Sequence, residues 1–277
     1  MLYLIYFLIN SSGVNSLLLP VSPLGLTAGF SNADRTEAIF YNPSKFRAED
    51  KYMLWCSYNQ FYLDMHSVSM ALSKKFGKIG IGIGFVNFDY GEIEWHPDYP
   101  TEDPLTNYTA NDFSIILGAS TDITEQGRIG LNLKYISENI MIYSDYALAF
   151  DLAFSYRNEK SSISLGVTNF GSQLTIRNDD INLPAKLSMG LTYQFNKFGL
   201  GGDAHYLVNT SDFEGDMSVN VPLHPILAIN LAAQYRERIF PAFGFDMAIG
   251  NIAFKYAGSI YPRSLGMINT LGIGFEF

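Results

Sequence analysis

The chain has 277 residues, a net charge of −9, charged side chains at 16% and aromatic ones at 15%. Soluble domains carry about 25% charge, so this chain is short of it. It also has no Lys/Arg cluster to form a nucleic-acid footprint. One cysteine, Cys56, excludes an intramolecular disulfide framework, and an apolar share of 48% excludes disorder, leaving a soluble β-rich protein or a membrane barrel.

Met1 to Ile9 is an apolar run, and the first charge in the chain is Asp34. At about nine residues the run is shorter than the roughly twenty that span a bilayer, but it suits the apolar region of a secretory leader. Val14-Asn15-Ser16 offers a small-residue cleavage point. No Lys or Arg precedes the run, so either the true start lies upstream or this is a buried N-terminal strand. The expected division is a signal peptide over 1–16, a hatch segment over 17–50 and a barrel over 51–277.

From residue 51 onward the pattern is strict alternation, the period of a strand. In Gly80-Ile81-Gly82-Ile83-Gly84-Phe85 one face is apolar and the other is glycine alone. Arg128–Tyr135 sets Ile129, Leu131, Leu133 and Tyr135 against Arg128, Gly130, Asn132 and Lys134, and Lys186–Phe195 repeats the scheme. Such runs are about ten residues long, which crosses a bilayer at a tilt, whereas soluble strands run about five or six. Turn signals give runs near 51–60, 64–74, 78–88, 111–121, 127–138, 146–156, 161–169, 185–195, 198–207, 216–222, 226–235, 242–248, 252–259 and 269–277. The fold class is therefore all-β: a transmembrane antiparallel barrel of about fourteen strands, with twelve or sixteen within the boundary tolerance, and a short N-terminal plug. Links alternate between short turns and longer loops such as Asp89–Ala110 and Phe170–Pro184, as in bacterial outer-membrane barrels. Both barrel ends then lie on the periplasmic side. Trp55, Tyr58, Phe88, Trp95, Tyr135, Tyr193, Phe198 and Tyr235 fall near strand ends, where interfacial girdles sit.

The last strand alternates Leu271, Ile273, Phe275 and Phe277 with Gly272, Gly274 and Glu276. It resembles the C-terminal strand of outer-membrane barrels, in which an aromatic ending addresses the barrel-assembly machinery; Phe275 and Phe277 would carry that signal. Four further places resemble the PorV/PorQ family, itself related to FadL transporters: Gly29–Phe46 with Tyr41-Asn42-Pro43-Ser44, where the family has Ala in place of Ser44; Phe88–Ile93; Val167–Leu174; and Leu183–Leu187. The resemblance implies fourteen strands with an N-terminal hatch. It also implies an accessory role in protein secretion or surface attachment of the type IX kind, with secretion components or cargo as partners. The related FadL resemblance implies instead uptake of a hydrophobic small molecule, lodged among Phe30, Phe40, Tyr41, Asn42 and Pro43.

For chemistry the sequence offers little. His66, His96, His205 and His224 fall in separate elements with no partner at ligand spacing, so neither a metal nor a cofactor is expected. His66 and Asp112 could be invoked as an acid–histidine pair for hydrolysis, but a rim histidine explains His66 more simply; no catalytic residue is assigned. By parity Arg128, Lys134, Glu138, Asp151, Lys186 and Glu276 face the lumen, because charge facing lipid costs about 2–4 kcal/mol at the midplane. Glu92, Glu94, Trp95 and Tyr99 make Asp89–Ala110 an acidic, aromatic extracellular loop that suits partner contact.

Overall fold

In the computed structural model, which describes residues 14–95, 104–176, 179–261 and 266–277, the alternating runs become strands. They are β1 (Met53–Gln60), β2 (His66–Phe76), β3 (Ile79–Trp95), β4 (Thr106–Asp122), β5 (Gly127–Ile140), β6 (Tyr143–Arg157) and β7 (Ser161–Gly171). A small hairpin, β8 (Leu174–Ile176) and β9 (Asp179–Ile181), precedes β10 (Lys186–Gln194), β11 (Gly199–Leu207), β12 (Asp212–His224) and β13 (Leu227–Arg236). β14 (Arg238–Ile249), β15 (Ile252–Tyr261) and β16 (Gly266–Glu276) complete the set. Every strand but β8 and β9 belongs to one closed antiparallel barrel of fourteen strands. It closes where β1 pairs with β16, from Met53↔Glu276 to Gln60↔Asn269. No described helix is long and apolar enough to cross a membrane; in lipid, closure satisfies every backbone group without one.

The alternation resolves as expected. On β5 Leu131, Leu133 and Tyr135 stand exposed on the outer wall, while Asn132, Lys134 and Ile136 are buried inside. Both barrel ends share the inner rim. There the turns are tight, with Gly77 and Gly250 at φ 62° and 58°, a conformation open to glycine without strain. The outer rim is less uniform than the alternation of links suggests, since Met141-Ile142 and Glu237 are also tight turns.

Three expectations are corrected. The described residues of the Asp89–Ala110 segment are largely strand: past a bulge at Asp89–Glu92, β3 and β4 continue pairing from Glu92↔Thr109 to Trp95↔Thr106. Above the bilayer nothing demands an apolar outer face, so the period fades although pairing persists. Phe170–Pro184 does not project as a rim loop; its Leu174 and Leu183 are buried and pack with Val14, Ile136, Ala147 and Ala149 across the outer mouth. Finally, Trp55 and Phe88 are not girdle residues. They are 5% and 1% exposed and point inward, Trp55 lying against Gly272 and Gly274 and Phe88 against Phe61.

Fourteen strands leave a lumen that wall side chains do not fill, and residues 14–52 occupy it. Val14 packs in the outer half, and the segment descends to leave at the inner rim through Tyr52, which exchanges backbone hydrogen bonds with Phe277. It is built from short turns, Asn15–Leu18, Pro23–Leu26 and Thr36–Phe40, and one helical turn, α1 (Gly29–Asn32). Asn42 fixes this path: its amide donates to the Phe30 carbonyl at 2.9 Å, and its Oδ1 accepts from the Ser44 hydroxyl at 2.7 Å and the Ser44 amide at 3.1 Å. The Ser44 hydroxyl is thus used within the plug.

The wall makes room by omission. A Cβ on Gly130 would meet the Pro43 carbonyl oxygen at 2.0 Å. Gly130→Val is therefore expected to leave a heat-modifiable barrel while displacing Pro43, and limited proteolysis should then cut the Arg35–Arg47 stretch that is protected in the unsubstituted protein.

Candidate functional site

Between the plug and the wall lies a central cavity of about 100 Å³. Its walls differ in character. Leu17, Leu19, Val21, Phe30, Phe40, Phe88 and Ile116 form an apolar side, and Lys134, Thr168, Asn169, Lys186, Ser188, His205, Asp216 and Arg236 form a polar one.

The apolar side is held by the plug's own turns. Glu37, 2% exposed, is the plug's main fastening. It accepts from the Ser22 hydroxyl and the Leu24 amide and pairs with Lys255 of β15 at 2.6 Å. Tyr41 accepts from the Val21 amide at 3.1 Å, and burial raises its phenol well above the ordinary value. Lower down, Lys45 donates to Ser162 at 2.6 Å, and desolvation brings its ammonium down to about 8.

The polar side depends on a β-bulge. The ladder between β6 and β7 shifts between Phe150 and Leu152, and Asn169 adopts φ 59°. The Asn169 amide then donates to Asp151 at 2.8 Å, and its side-chain oxygen accepts from Lys134 at 2.7 Å. Lys134 pairs with Asp151 at 2.8 Å, and Asn132 donates both to Asp151 and to the Ile39 carbonyl. Arg236 pairs with Asp216 and Glu214 at 3.0 and 3.3 Å. Lys186 differs from these: among the described residues its ammonium makes neither ion pair nor hydrogen bond, and it faces the cavity.

No protein-family model and no curated protein sequence matches the chain. Solved structures do. The toluene transporter TbuX of Ralstonia pickettii superposes with TM-score 0.74 at 12% identity, over 95% of this chain and 100% of that one. The P. putida toluene transporter TodX gives 0.68 at 11%, over 94% and 99%, and a Pseudomonas aeruginosa FadL homologue gives 0.63 at 10%, over 94% and 99%. The fold is that of the FadL-type outer-membrane barrels. With its apolar outer wall, this places the chain in the bacterial outer membrane.

Within this FadL-like barrel the residues singled out from sequence separate into groups. Phe30, Phe40 and Tyr41 meet at the cavity. Asn42 and Pro43 do not line it, and serve to dock the plug. Lys134 and Lys186 belong to the cavity's polar side, Asp151 does not line it but pairs with Lys134, and Glu138 stands one inward position above Ile136. Arg128 and Glu276 are inner-rim residues, paired with Asp122 at 3.3 Å and Lys51 at 3.1 Å. Glu92, Glu94 and Trp95 lie on the extended β3–β4 hairpin, while Tyr99, His96 and the Met1–Ile9 run lie outside the described residues. Phe275 faces outward near the inner rim, and Phe277 stacks on Tyr52. His66 sits near Asp89, at 4.0 Å, and not near Asp112, which instead accepts from Ser16 and Tyr90 in the lumen.

Sequence reasoning missed His205, which meets Asp203 and Asp216 inside the wall. Asp203 and His205 share a strand face two residues apart, and Asp203 pairs directly with Asp216 in the β11–β12 register. The spacing on β11 was visible; the partner across the Val208–Ser211 turn required the register.

Removing one partner of a buried ion pair costs about 3–5 kcal/mol, because the other charge is stranded. Glu37→Gln is accordingly expected to lower the temperature at which the plug becomes protease-sensitive. Adding Lys255→Met to Glu37→Gln should restore most of the loss, which thermal scans in detergent read directly.

Proposed function

We propose that this barrel carries a hydrophobic small molecule across the outer membrane by way of the central cavity. The observation that carries the reading is the cavity's two-sided lining inside a FadL-type fold: an apolar wall supplied mostly by the plug, facing a polar wall supplied by the barrel. The first suits a hydrocarbon body. Lys186 on the second, which makes no ion pair or hydrogen bond among the described residues, suits a hydroxyl or carboxylate at one end of it. The structural neighbours TbuX and TodX are described as toluene transporters, which supports the same class of cargo. At about 100 Å³ the cavity is smaller than the ~150 Å³ that admits benzene elsewhere, so plug side chains move for a ligand to enter.

A second reading, an accessory in protein secretion or surface attachment of the PorV/PorQ kind, rests on the four ordered sequence resemblances and on the β3–β4 hairpin. That hairpin presents Trp95, 48% exposed, beyond the barrel. The comparisons favour transport over this reading.

Proteoliposomes holding the barrel are expected to take up toluene or a medium-chain fatty acid faster than empty vesicles, and Phe40→Trp, which fills the apolar side, should slow both several-fold. Lys186→Met should slow only the ligand with a polar end. Uptake no faster than in empty vesicles, together with no hydrophobic ligand on extraction and mass spectrometry, ends the transport reading. Co-purification of secretion components from solubilised membranes would favour the second.

A further inference from the structure

We propose that Asp203, His205 and Asp216 bind one divalent transition-metal cation, of the zinc class, within the barrel wall. One ligand atom from each lies within 4.8 Å of the others, and the three residues are 7%, 7% and 4% exposed. Hydrogen bonding alone accounts poorly for their arrangement. His205 Nδ1 is 2.8 Å from the Ser188 hydroxyl, which fixes that nitrogen. The other nitrogen, Nε2, stands 3.5 Å from Asp216 Oδ2, beyond the usual range of 2.7–3.2 Å for such a bond. A separation of about 3.4 Å is the edge of a tetrahedron whose centre binds nitrogen and oxygen at about 2.0–2.2 Å. Asp203 adds a second observation. Its Oδ1 is buried and, among the described residues, makes no hydrogen bond of ordinary geometry; the neighbouring Ser31 hydroxyl is likewise unsatisfied, and an unmade bond to a buried charged oxygen is costly.

The surrounding groups fit a cation as well. Ser188 holds the imidazole, Arg236 holds Asp216 at 3.0 Å, and the Phe30 amide of the plug donates to Asp203 Oδ2 at 2.9 Å. Outer contacts of this kind orient metal ligands. Asp203, Asp216 and Glu214 oppose Arg236 and Lys186, which leaves one net negative charge for the cation to offset. One imidazole with two carboxylates is a borderline donor set suited to zinc, cobalt or nickel; calcium and magnesium require six or more oxygens or near-octahedral geometry. A fourth position opens on the cavity, which His205 and Asp216 line. Because Asp203 also holds the plug and the Phe30 ring stands edge-on to His205, with centroids 6.1 Å apart, the cation would tie α1 to β11.

The test uses the full barrel, free of any histidine tag, purified in detergent and stripped with chelator. Zn²⁺ titration against a competing dye is expected to show one equivalent bound, and Co²⁺ should give the visible absorption of a low-coordinate nitrogen–oxygen site. His205→Ala should abolish both signals. Ser188→Ala should weaken binding by about 10- to 100-fold, and His66→Ala and His224→Ala should change nothing. If His205→Ala loses heat-modifiable migration, Asp203→Asn and Ser188→Ala with the Co²⁺ spectrum carry the test. Substoichiometric Zn²⁺, or binding that survives His205→Ala or Asp203→Asn, overturns the proposal. The transport reading stands or falls separately, on uptake.

Discussion

A strand in hydrocarbon has no water to satisfy its amides, and a sheet with an edge there is untenable. Pairing of β1 with β16 removes the edge, and most other features follow from that closure. Once the sheet is a ring, side-chain alternation becomes inside against outside. The charge deficit of the composition is then the lipid-facing half of the barrel, and the few charges inside strands are the lumen half. Fourteen strands also enclose more space than wall side chains fill, so a sequence that closes at this number needs a plug. Residues 14–52 supply it.

The same closure dictates how the interior is made polar. A lumen charge far from bulk water needs a partner, and it finds one either across neighbouring strands or on the plug. Lys134 with Asp151, and Arg236 with Asp216 and Glu214, are wall-to-wall solutions. Lys255 with Glu37 is a wall-to-plug one. Buried pairs of this kind add little net stability over apolar packing, but they admit one register. A plug misplaced by a residue would leave Glu37 and Asp203 without partners. Two of the bulges act alike: at Asn169 and near Gly91 the strand gives up ladder bonds and turns an inward group, Asn169 toward Asp151 and Tyr90 toward Asp112.

Strand positions were legible because lipid imposes a one-sided requirement on every second residue, a local signal that survives in a single chain. It failed where that requirement ends. Glu92–Trp95 reads as loop because its outer face meets water, yet its backbone still pairs. Trp55 and Phe88 lie near strand ends, yet parity and not end position decides their direction: Phe88 shares its face with Gly80, Gly82 and Gly84, the inward one. Plug contacts were beyond reach for a different reason. Asn132 with Ile39, Phe30 with Asp203 and Glu37 with Lys255 join residues 93, 173 and 218 positions apart, and no local period encodes such pairings. The Asp203–His205–Asp216 cluster lies between these cases, two residues on one strand and the third fixed by the register of the next.

The distribution of plug contacts constrains how a ligand could pass. The segment from Thr27 onward is fastened around the ring: Thr36 to Ser73 on β2, Phe46 to Ser120 on β4, Ile39 to Asn132 on β5, Ser44 to Ser155 on β6, Phe30 to Asp203 on β11, Asn32 to Ser218 on β12 and Glu37 to Lys255 on β15. At about 1 kcal/mol for each neutral bond and more for charged ones, expelling this body as a unit costs many kcal/mol before any apolar contact is counted. Leu17–Pro20 is different. Among the described residues its backbone bonds run only to Val14 and Ser16 within its own turn, its side chains are half-exposed, and all four of its residues line the cavity that Phe40 also lines. Rearranging those four residues enlarges the cavity while the ring of fastenings stays closed. The low-cost motion is therefore a local change at the outer end of the plug, with the rest of it acting as a fixed floor.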